Sequence, residues 1–132
     1  MSAIPNDLVY FLLCLFHHQG PEGEPLGLIS GLITASQISV SSVNQTGACS
    51  GSHARLYHPD PAAAWVPAQH NRRQWLEIEL GSAVTIKAVA TSGLPCCDSW
   101  VTGYYIKYAW ATDDWRYYEQ NGTRKVSEKK IT

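Results

Sequence analysis

The heptapeptide at residues 74–80, QWLEIEL, constrains the fold of this chain more than any other stretch. Its apolar face consists of Leu76, Ile78 and Leu80, and the intervening positions hold Trp75, Glu77 and Glu79. A period of two is typical of a β-strand with one buried face, because successive side chains point to opposite sides of a sheet. The stretch therefore predicts a half-buried strand, which either borders an active site or supports loops.

The same alternation recurs further along the chain and is interrupted by turn-forming residues. It predicts additional strands at residues 84–91, 103–110 and 115–119. Gly81-Ser82 separates the first two strands, and the polar segment 111–114 joins the last two as a hairpin. No helical period follows Leu26. The pattern predicts an all-β, antiparallel sandwich or barrel, with the hairpin aromatics in core or cross-strand packing.

Composition argues against several classes of protein. With 132 residues, 45% hydrophobic and 16% charged, the chain suits one globular domain with a core. A net charge of −1 and scattered basic residues lack the footprint of a nucleic-acid binder. The sequence has no nucleophile-elbow, phosphate-loop, zinc-protease or dinucleotide motif, and Asp113-Asp114 falls in a predicted turn, where Asp is expected. We therefore predict a protein that is not an enzyme.

Residues 8–16 form an uninterrupted apolar run that allows two interpretations. The run is long enough for the core of a signal peptide and too short to cross a bilayer as a helix. Its flanks depart from a standard signal, since Asp7 precedes it and His17 follows it. Residues 1–20 are therefore either a secretory signal or hydrophobic leader, or they include a buried strand. Residues 21–25 predict a linker by their Gly and Pro content, and residues 26–132 the folded domain.

The cysteines and the glycosylation sequons give weaker constraints. Cys14, Cys49, Cys96 and Cys97 lack the C-x-x-C spacing of a zinc site, so no metal centre is predicted. Adjacent cysteines cannot easily bond to each other without strain, so one of the pair at 96 and 97 is expected to bond to Cys49. The alternative is that all are reduced. The sequons at Asn44 and Asn121 are candidate N-glycosylation sites in a secreted chain.

Three long segments lie outside the predicted strands, at residues 41–53, 57–73 and 92–99. Loops of this length in a compact domain are usually functional or disordered. Rigid strands that carry several long loops are typical of a binding module. The loops are therefore the candidate site.

Seven blocks of sequence, in a fixed order over residues 25–120, resemble the discoidin family, also called the coagulation factor five/eight type C domain. They are PLG at 25–27, ITAS at 33–36, ARL and AW at 54–56 and 64–65, QWLEIELG at 74–81, VATSG at 89–93 and WVTGY at 100–104. Several blocks in order are more specific than one short motif. The resemblance implies a distorted jelly-roll β-sandwich of the galactose-binding-like kind, with long binding loops at one end. It also implies recognition or adhesion, without catalysis, by a protein that is secreted or displayed on the outer face of the plasma membrane.

The resemblance further implies which residues contact a ligand. Residues 41–53 correspond to the family's first binding loop, 62–73 border the second, and 94–100 correspond to the third. The candidate ligand-binding residues are Val43, Asn44, His53, His70, Arg72, Arg73, Leu94, Pro95 and Asp98. The candidate structural residues are Arg55, Trp65, Trp75 and Trp100. In this interpretation QWLEIEL is the strand that supports the loops.

The sequence departs from the family pattern at both ends of the domain. Glu22-Gly23-Glu24 occupies the neighbourhood in which many members carry a cysteine, and Val66 follows the Ala-Trp pair where many have another. We expect the final strands of the family to be missing. We therefore expect an incomplete domain with uncovered sheet edges, which favour pairing with other chains.

The loop composition favours a glycan, a protein or another cell-surface ligand, because Asn, Ser, Asp, His and Arg offer adaptable hydrogen bonding. Peripheral binding to anionic phospholipid is the alternative, as is targeting of a larger extracellular enzyme. Membrane binding is expected to be weak at most, since the first loop offers only Val43 as an apolar tip. The third loop, with Leu94 and Pro95, is more apolar, and Arg72 and Arg73 could supply charge. No cofactor and no nucleic-acid partner are predicted, and calcium is a candidate ion without assignable ligands.

Overall fold

The computed structural model describes residues 8–14, 33–45, 65–86, 89, 101–111 and 113–128, and gives the backbone alone at 8–14 and 126–128. The elements are β1 (Leu8–Cys14), a 3₁₀ turn (Ala35–Gln37), β2 (Ile38–Val40), β3 (Trp75–Glu79), β4 (Gly103–Ala109), β5 (Arg116–Tyr117), β6 (Glu119–Gln120), β7 (Thr123–Arg124) and β8 (Val126–Glu128). Within these ranges the regular structure is strand apart from one short turn, which confirms the predicted all-β class.

Six strands form one sheet in the order β2-β3-β1-β4-β5, with β8 also paired to β4. β5 lies beside Lys107 and Tyr108, and β8 lies beside residues 103–105, along the edge of β4 that faces away from β1. β6 and β7 pair separately as a short hairpin. The predicted antiparallel arrangement is confirmed for β2 with β3, for β4 with β5 and β8, and for β6 with β7.

β1 lies in the middle of the sheet, between β3 and β4, and runs parallel to both. Its register puts Phe11 opposite Leu76 on one side and opposite Ile106 on the other. This is a departure from the purely antiparallel order that the alternating segments predict. A run that is apolar at successive positions suits a central parallel strand, because both faces of such a strand are covered. The structure therefore contains the strand that was one of the two interpretations of residues 8–16. The other interpretation, a secretory signal that is cleaved, stays a prediction.

The core lies on the apolar face of β3, as the alternation predicted. Leu76 is 2% exposed and Ile78 6% exposed, and both pack with Ile33. β2 brings Ile38 opposite Ile78 and Val40 opposite Leu76. Burial of one such aliphatic side chain stabilises a fold by about 1.5–3 kcal/mol. The partly buried apolar residues around this cluster are Ile38, Val40, Trp65, Leu80, Ile86, Val89 and Ile106.

The hairpin predicted at residues 103–119 is confirmed, with Tyr117 opposite Lys107. The ring of Tyr105 meets the ring of Tyr117 edge-on, with centroids 5.6 Å apart and planes at 83°. This pair lies on the face of β4 opposite to Ile106, since side chains alternate along a strand. Ile106 packs against the core cluster, so the two faces of β4 have separate roles.

The strand predicted at residues 84–91 is wrong for the part that the structure describes, because residues 84–86 and 89 lie outside any strand. Ile86 and Val89 nevertheless pack against the core cluster. The two residues are three positions apart and would point to opposite faces of a strand, so alternation does not explain why both pack there. A strand needs, in addition, a neighbouring backbone at hydrogen-bonding distance, which the local pattern does not specify.

Candidate ligand-binding loop end

The described parts of the first and second loops meet at the start of β3, and we call residues 41–45 and 65–74 the loop base. The backbone N–H of Ser41 donates to the carbonyl of Trp75 at 2.9 Å, and the N–H of Asn44 donates to the carbonyl of Val66 at 2.8 Å. The N–H of Trp75 donates to the hydroxyl of Ser41 at 3.0 Å. These bonds join two loops that are more than 20 residues apart in sequence.

Gln74 is the centre of the loop base and is only 4% exposed. Its Oε1 accepts hydrogen bonds from the hydroxyls of Ser41 and Ser42, at 2.9 and 2.5 Å. Its Nε2 donates to Oδ1 of Asn71 at 2.9 Å. Leaving a buried amide without hydrogen-bond partners would lower the free energy of unfolding by about 1–3 kcal/mol. The arrangement of the loop base therefore depends on the bonds of Gln74 to Ser41, Ser42 and Asn71.

The two serine hydroxyls are satisfied in the same way. Each donates its proton to Gln74 and accepts a backbone N–H, from Trp75 at Ser41 and from Ala68 at Ser42 at 3.1 Å. Donor and acceptor directions therefore agree throughout the network. A network that is satisfied at every position favours one arrangement of the loops over alternatives.

Trp65 connects the loop base to the core. Its indole Nε1 donates to the carbonyl of Ser42 at 2.8 Å, while the half-buried ring packs against the core cluster. Trp75, also predicted to be structural, is half-buried at the first position of β3. The structural role assigned to Trp65 and Trp75 stays a prediction. The hydrogen bond and core packing of Trp65 support it.

Asn71 shapes the turn that carries the predicted basic residues. Its Oδ1 accepts the backbone N–H of Arg73 at 2.9 Å, and its Nδ2 donates to Oε1 of Gln69 at 3.0 Å. An Asn side chain that bonds the backbone two residues later stabilises a tight turn. His70, Arg72 and Arg73 are all exposed on this turn. Val43 and Asn44, predicted to contact a ligand, are half-buried in the facing loop.

The loop base is positively charged in an otherwise slightly acidic chain. Residues 33–45 and 65–76 contain two formal charges, on Arg72 and Arg73, and no Asp or Glu. The nearest acidic residue along the chain is Glu77, in β3. Partial burial, followed by the charge of Glu79, raises the pKa of the Glu77 carboxyl. The sequence thus changes from the positive charges of Arg72 and Arg73 to the negative charges of Glu77 and Glu79 within a few residues.

The structure joins the loop that holds Val43 and Asn44 to the loop that begins at Trp65, and the turn at Asn71, which holds His70, Arg72 and Arg73, is bonded to Gln74 of the same network. Nine other predicted residues lie outside the described ranges, namely Cys49, His53, Arg55, Leu94, Pro95, Cys96, Cys97, Asp98 and Trp100. Sequence reasoning missed Gln74, Asn71 and the two serines. One signal was available for Gln74, because it shares the parity of Leu76 and Ile78 and is therefore a polar residue on an apolar face.

The two glycosylation sequons lie in different surroundings. Asn44 is half-buried in the loop base, where its backbone is bonded to Val66. Asn121 is exposed in the turn between β6 and β7, with φ of 55°, beside Gly122 with φ of 73°. Glycosylation at either residue stays a prediction.

Within the described ranges, no three His, Cys, Asp or Glu side chains come together as a group that could hold a metal ion. Calcium binding stays untested. Across the same part of the chain, the structure shows no helix that is long and apolar enough to span a bilayer.

Comparison with known proteins agrees with the sequence resemblance. Residues 37–132 match the model of the F5/8 type C domain. The chain is also 33% identical over 114 residues to retinoschisin from Mus musculus, a match that covers 80% of this chain and 50% of retinoschisin. The chain thus spans about half the length of this relative, and no solved structure matches significantly. The chain belongs to the F5/8 type C, or discoidin, domain family.

Proposed function

We propose that this protein is an extracellular, non-catalytic recognition module that binds a glycan, a protein or another cell-surface ligand through the loop base and the loops extending from it. The observation that carries the proposal is the buried Gln74 network, which joins two loops through hydrogen bonds between residues 32 and 33 positions apart. Membership of the F5/8 type C family supports a binding role and an extracellular location.

A preformed loop base favours binding because it lowers the cost of ordering the protein when a ligand arrives. Immobilising a rotamer-rich side chain costs about 0.5–1.5 kcal/mol, and flexible loops incur this cost several times. In the loop base the backbone of Ser41, Asn44 and Arg73 is already held by hydrogen bonds. Exposed groups at Gln69 and His70 can then contact a ligand from a fixed frame.

Peripheral binding to anionic phospholipid is the second candidate, and exposed Arg72 and Arg73 favour it. Such binding also needs apolar side chains that enter the headgroup region. Val43, the apolar side chain predicted in the first loop, is half-buried, and Leu94 and Pro95 of the more apolar third loop lie outside the described residues. A role as the targeting domain of a larger extracellular enzyme would use the same surface.

A bulky substitution tests the site without knowledge of the ligand. The full chain, produced by a secretory host and labelled with a fluorophore, is applied to cultured adherent cells. His70→Trp should reduce cell binding at least about tenfold, because loss of a few contacts worth about 1.4 kcal/mol has that effect. Glu119→Trp, at an exposed position of β6, is the matched control and should bind as the unchanged protein does.

Thermal melts of both variants establish that they are folded. Equal binding by the two variants would contradict the assignment of the loop end as the binding surface. Absence of binding to any cell type by the unchanged, folded protein would contradict the recognition function itself.

A further inference from the structure

We infer that the ligand of the loop base is an acidic polysaccharide, and that Arg72 and Arg73 bind its sulfate or carboxylate groups. This inference rests on the proposed function and names the ligand class for the same site. It begins from the separation of charge in the described part of the molecule. The acidic residues there lie in β3, at Glu77 and Glu79, and in the part after β4, at Asp113, Asp114, Glu119 and Glu128.

The described loop base therefore carries two positive formal charges and no negative one, although the whole chain carries a net charge of −1. β3 carries two negative charges, and residues 101–128 balance four basic residues against four acidic ones. Charges of one sign, gathered on one part of a surface, raise the local concentration of ligands of the opposite sign. A neutral glycan or an uncharged protein surface would gain nothing from this separation. The charge distribution favours an anionic ligand.

The two arginines lie on a turn whose backbone is held by a hydrogen bond to Asn71. Oδ1 of Asn71 accepts both the N–H of Arg73 and the Nε2 of Gln74, so the turn is bonded to a side chain that is 4% exposed. The backbone of Arg72 and Arg73 is thereby ordered before a ligand binds. Both side chains are exposed on the turn.

The guanidinium groups of Arg72 and Arg73 favour anions that present two oxygen acceptors side by side. The planar fork of an arginine matches the oxygens of a carboxylate, sulfate or phosphate with two parallel hydrogen bonds. An acidic polysaccharide presents such groups repeatedly along an extended chain, so adjacent arginines can bind neighbouring groups. Exposed Gln69 and His70 flank the arginines and can bond to sugar hydroxyls.

The distribution of apolar side chains favours a polysaccharide over a membrane. The large apolar side chains that are exposed in the described ranges are Trp110, at 52%, and Tyr118, at 44%. Both lie at the β4–β5 hairpin and its exit, away in sequence from the loop base. Val43, within the loop base, is half-buried. On their turn the two arginines follow Gln69, His70 and Asn71, which are all polar.

The chain supplies a matched control in two other exposed arginines. Arg116 donates from its guanidinium to Asp114 at 2.9 Å, and Arg124 stacks on the ring of Tyr117 at 3.9 Å. Replacement of this pair changes the net charge as much as replacement of Arg72 and Arg73. A difference between the two double variants then reports the site and not the total charge.

The test measures binding of the full chain to immobilised heparin at increasing salt concentration. Arg72→Gln with Arg73→Gln should weaken binding at least about tenfold and lower the salt concentration of elution, because two charge-assisted contacts are lost. Arg116→Gln with Arg124→Gln should leave both measurements nearly unchanged. Arg72→Lys with Arg73→Lys should give an intermediate value, since the charge is kept and the planar fork is lost.

Each further outcome is decisive. Heparin binding that survives Arg72→Gln with Arg73→Gln, or that falls equally in the control pair, overturns the assigned site. Vesicles containing phosphatidylserine that bind more tightly than heparin through the same arginines overturn the polysaccharide in favour of a membrane. Cell binding that is sensitive to His70→Trp, without heparin binding, overturns this inference and leaves the proposed function standing. Loss of cell binding and heparin binding alike in the unchanged protein overturns both.

Discussion

The loop base and the segment at residues 113–125, here called the hairpin segment, both connect strands, yet they are held together differently. In the loop base, side-chain hydrogen bonds join residues between 23 and 34 positions apart, with Gln74 buried among them. In the hairpin segment, Asp114 bonds to Arg116 two positions away, and β6 pairs with β7 across a tight turn. The loop base is therefore joined by side-chain hydrogen bonds between distant residues. In the hairpin segment the side-chain hydrogen bond is local, and the contacts outside the segment are those of β5 with β4, the preceding strand of the sheet.

This difference has an energetic basis. A buried polar group is expensive to leave unpaired, whereas an exposed ion pair contributes little because water and salt screen it. Arg116 and Asp114 are 62% and 57% exposed in their side chains. The loop base should therefore respond strongly to the loss of one polar group, and the hairpin segment should hardly respond.

The largest expected effect comes from removal of the strand on which both regions depend. Deletion of residues 1–14 takes β1 out of the sheet and leaves β3 and β4 without their shared neighbour. We expect the cooperative thermal transition, followed by near-UV circular dichroism, to be lost. Deletion of residues 1–7, which keeps β1, is the control. A cooperative melt after the longer deletion would mean that the two regions do not require this strand.

Replacement of Gln74 by Met should have the next largest effect. Met has a similar size but neither accepts from Ser41 and Ser42 nor donates to Asn71, so the free energy of unfolding should fall by about 1–3 kcal/mol. Gln120→Met, in exposed β6, is the matched control and should change stability by less than about 0.5 kcal/mol. Urea denaturation measures both. Equal effects of the two substitutions would remove the distinction between the two regions.

Glycine substitutions in the turn after β3 and in the hairpin segment should have similar effects, because the cost is local to each turn. Gly81 and Gly122 have φ of 71° and 73°, in the left-handed region that L-residues rarely adopt. A Cβ at Gly81 would lie 3.9 Å from Nε2 of Gln37, an ordinary contact, and a Cβ at Gly122 would meet nothing within 4 Å. Gly81→Ala and Gly122→Ala should each lower the free energy of unfolding by about 1 kcal/mol. A much larger loss at Gly81 would indicate that its turn contributes to the loop base.

Replacement of Glu77 by Gln should stabilise the protein modestly, and only above acidic pH. Its pKa is raised in the folded state by partial burial and then by Glu79, so folding favours the protonated carboxyl. The penalty from its charge is absent below the unfolded-state pKa of about 4.5 and grows as pH rises through the folded-state pKa. Thermal melts at pH 7 and pH 3 should show a gain for Glu77→Gln only at pH 7. Glu119→Gln, exposed in β6, should show no such gain, and a gain at pH 3 would contradict the explanation.

The smallest expected effect is that of Asp114→Asn. It removes the exposed contact to Arg116, whose pKa is raised by the Asp114 hydrogen bond and charge. The change in melting temperature should be too small to resolve at physiological salt, because both side chains are exposed and the surrounding water and salt screen their attraction. A clear destabilisation would mean that the hairpin segment depends on this contact more than its exposure suggests.

Much of the fold could be predicted from the sequence because its signals are local. Alternation along residues 74–80 identified β3 and its buried face, and the polar segment between residues 110 and 115 identified the β4–β5 hairpin. The same signal was wrong at residues 84–86 and 89, where Ile86 and Val89 are partly buried against the core without strand pairing. Local periodicity specifies burial more reliably than it specifies hydrogen-bonded partners.

The candidate site could be predicted only in outline. The sequence resemblance identified the loops, and the structure brings Asn44, Trp65 and the turn at His70 together. The residue at the centre of the arrangement, Gln74, was missed. Its importance depends on partners some 30 positions away, which no local pattern around it reveals.

The sequence alone determined an all-β chain of the F5/8 type C family, because strand alternation, turn residues and ordered blocks are properties of neighbouring residues. Only the tertiary structure decided that residues 8–14 pair with β3 and β4 and that Gln74 is satisfied by Ser41, Ser42 and Asn71. An apolar run can serve in a leader or in a central strand, and a glutamine can be solvated or buried. Which of these occurs depends on the free energy of contacts between distant parts of the chain, and those contacts exist only once the chain is folded.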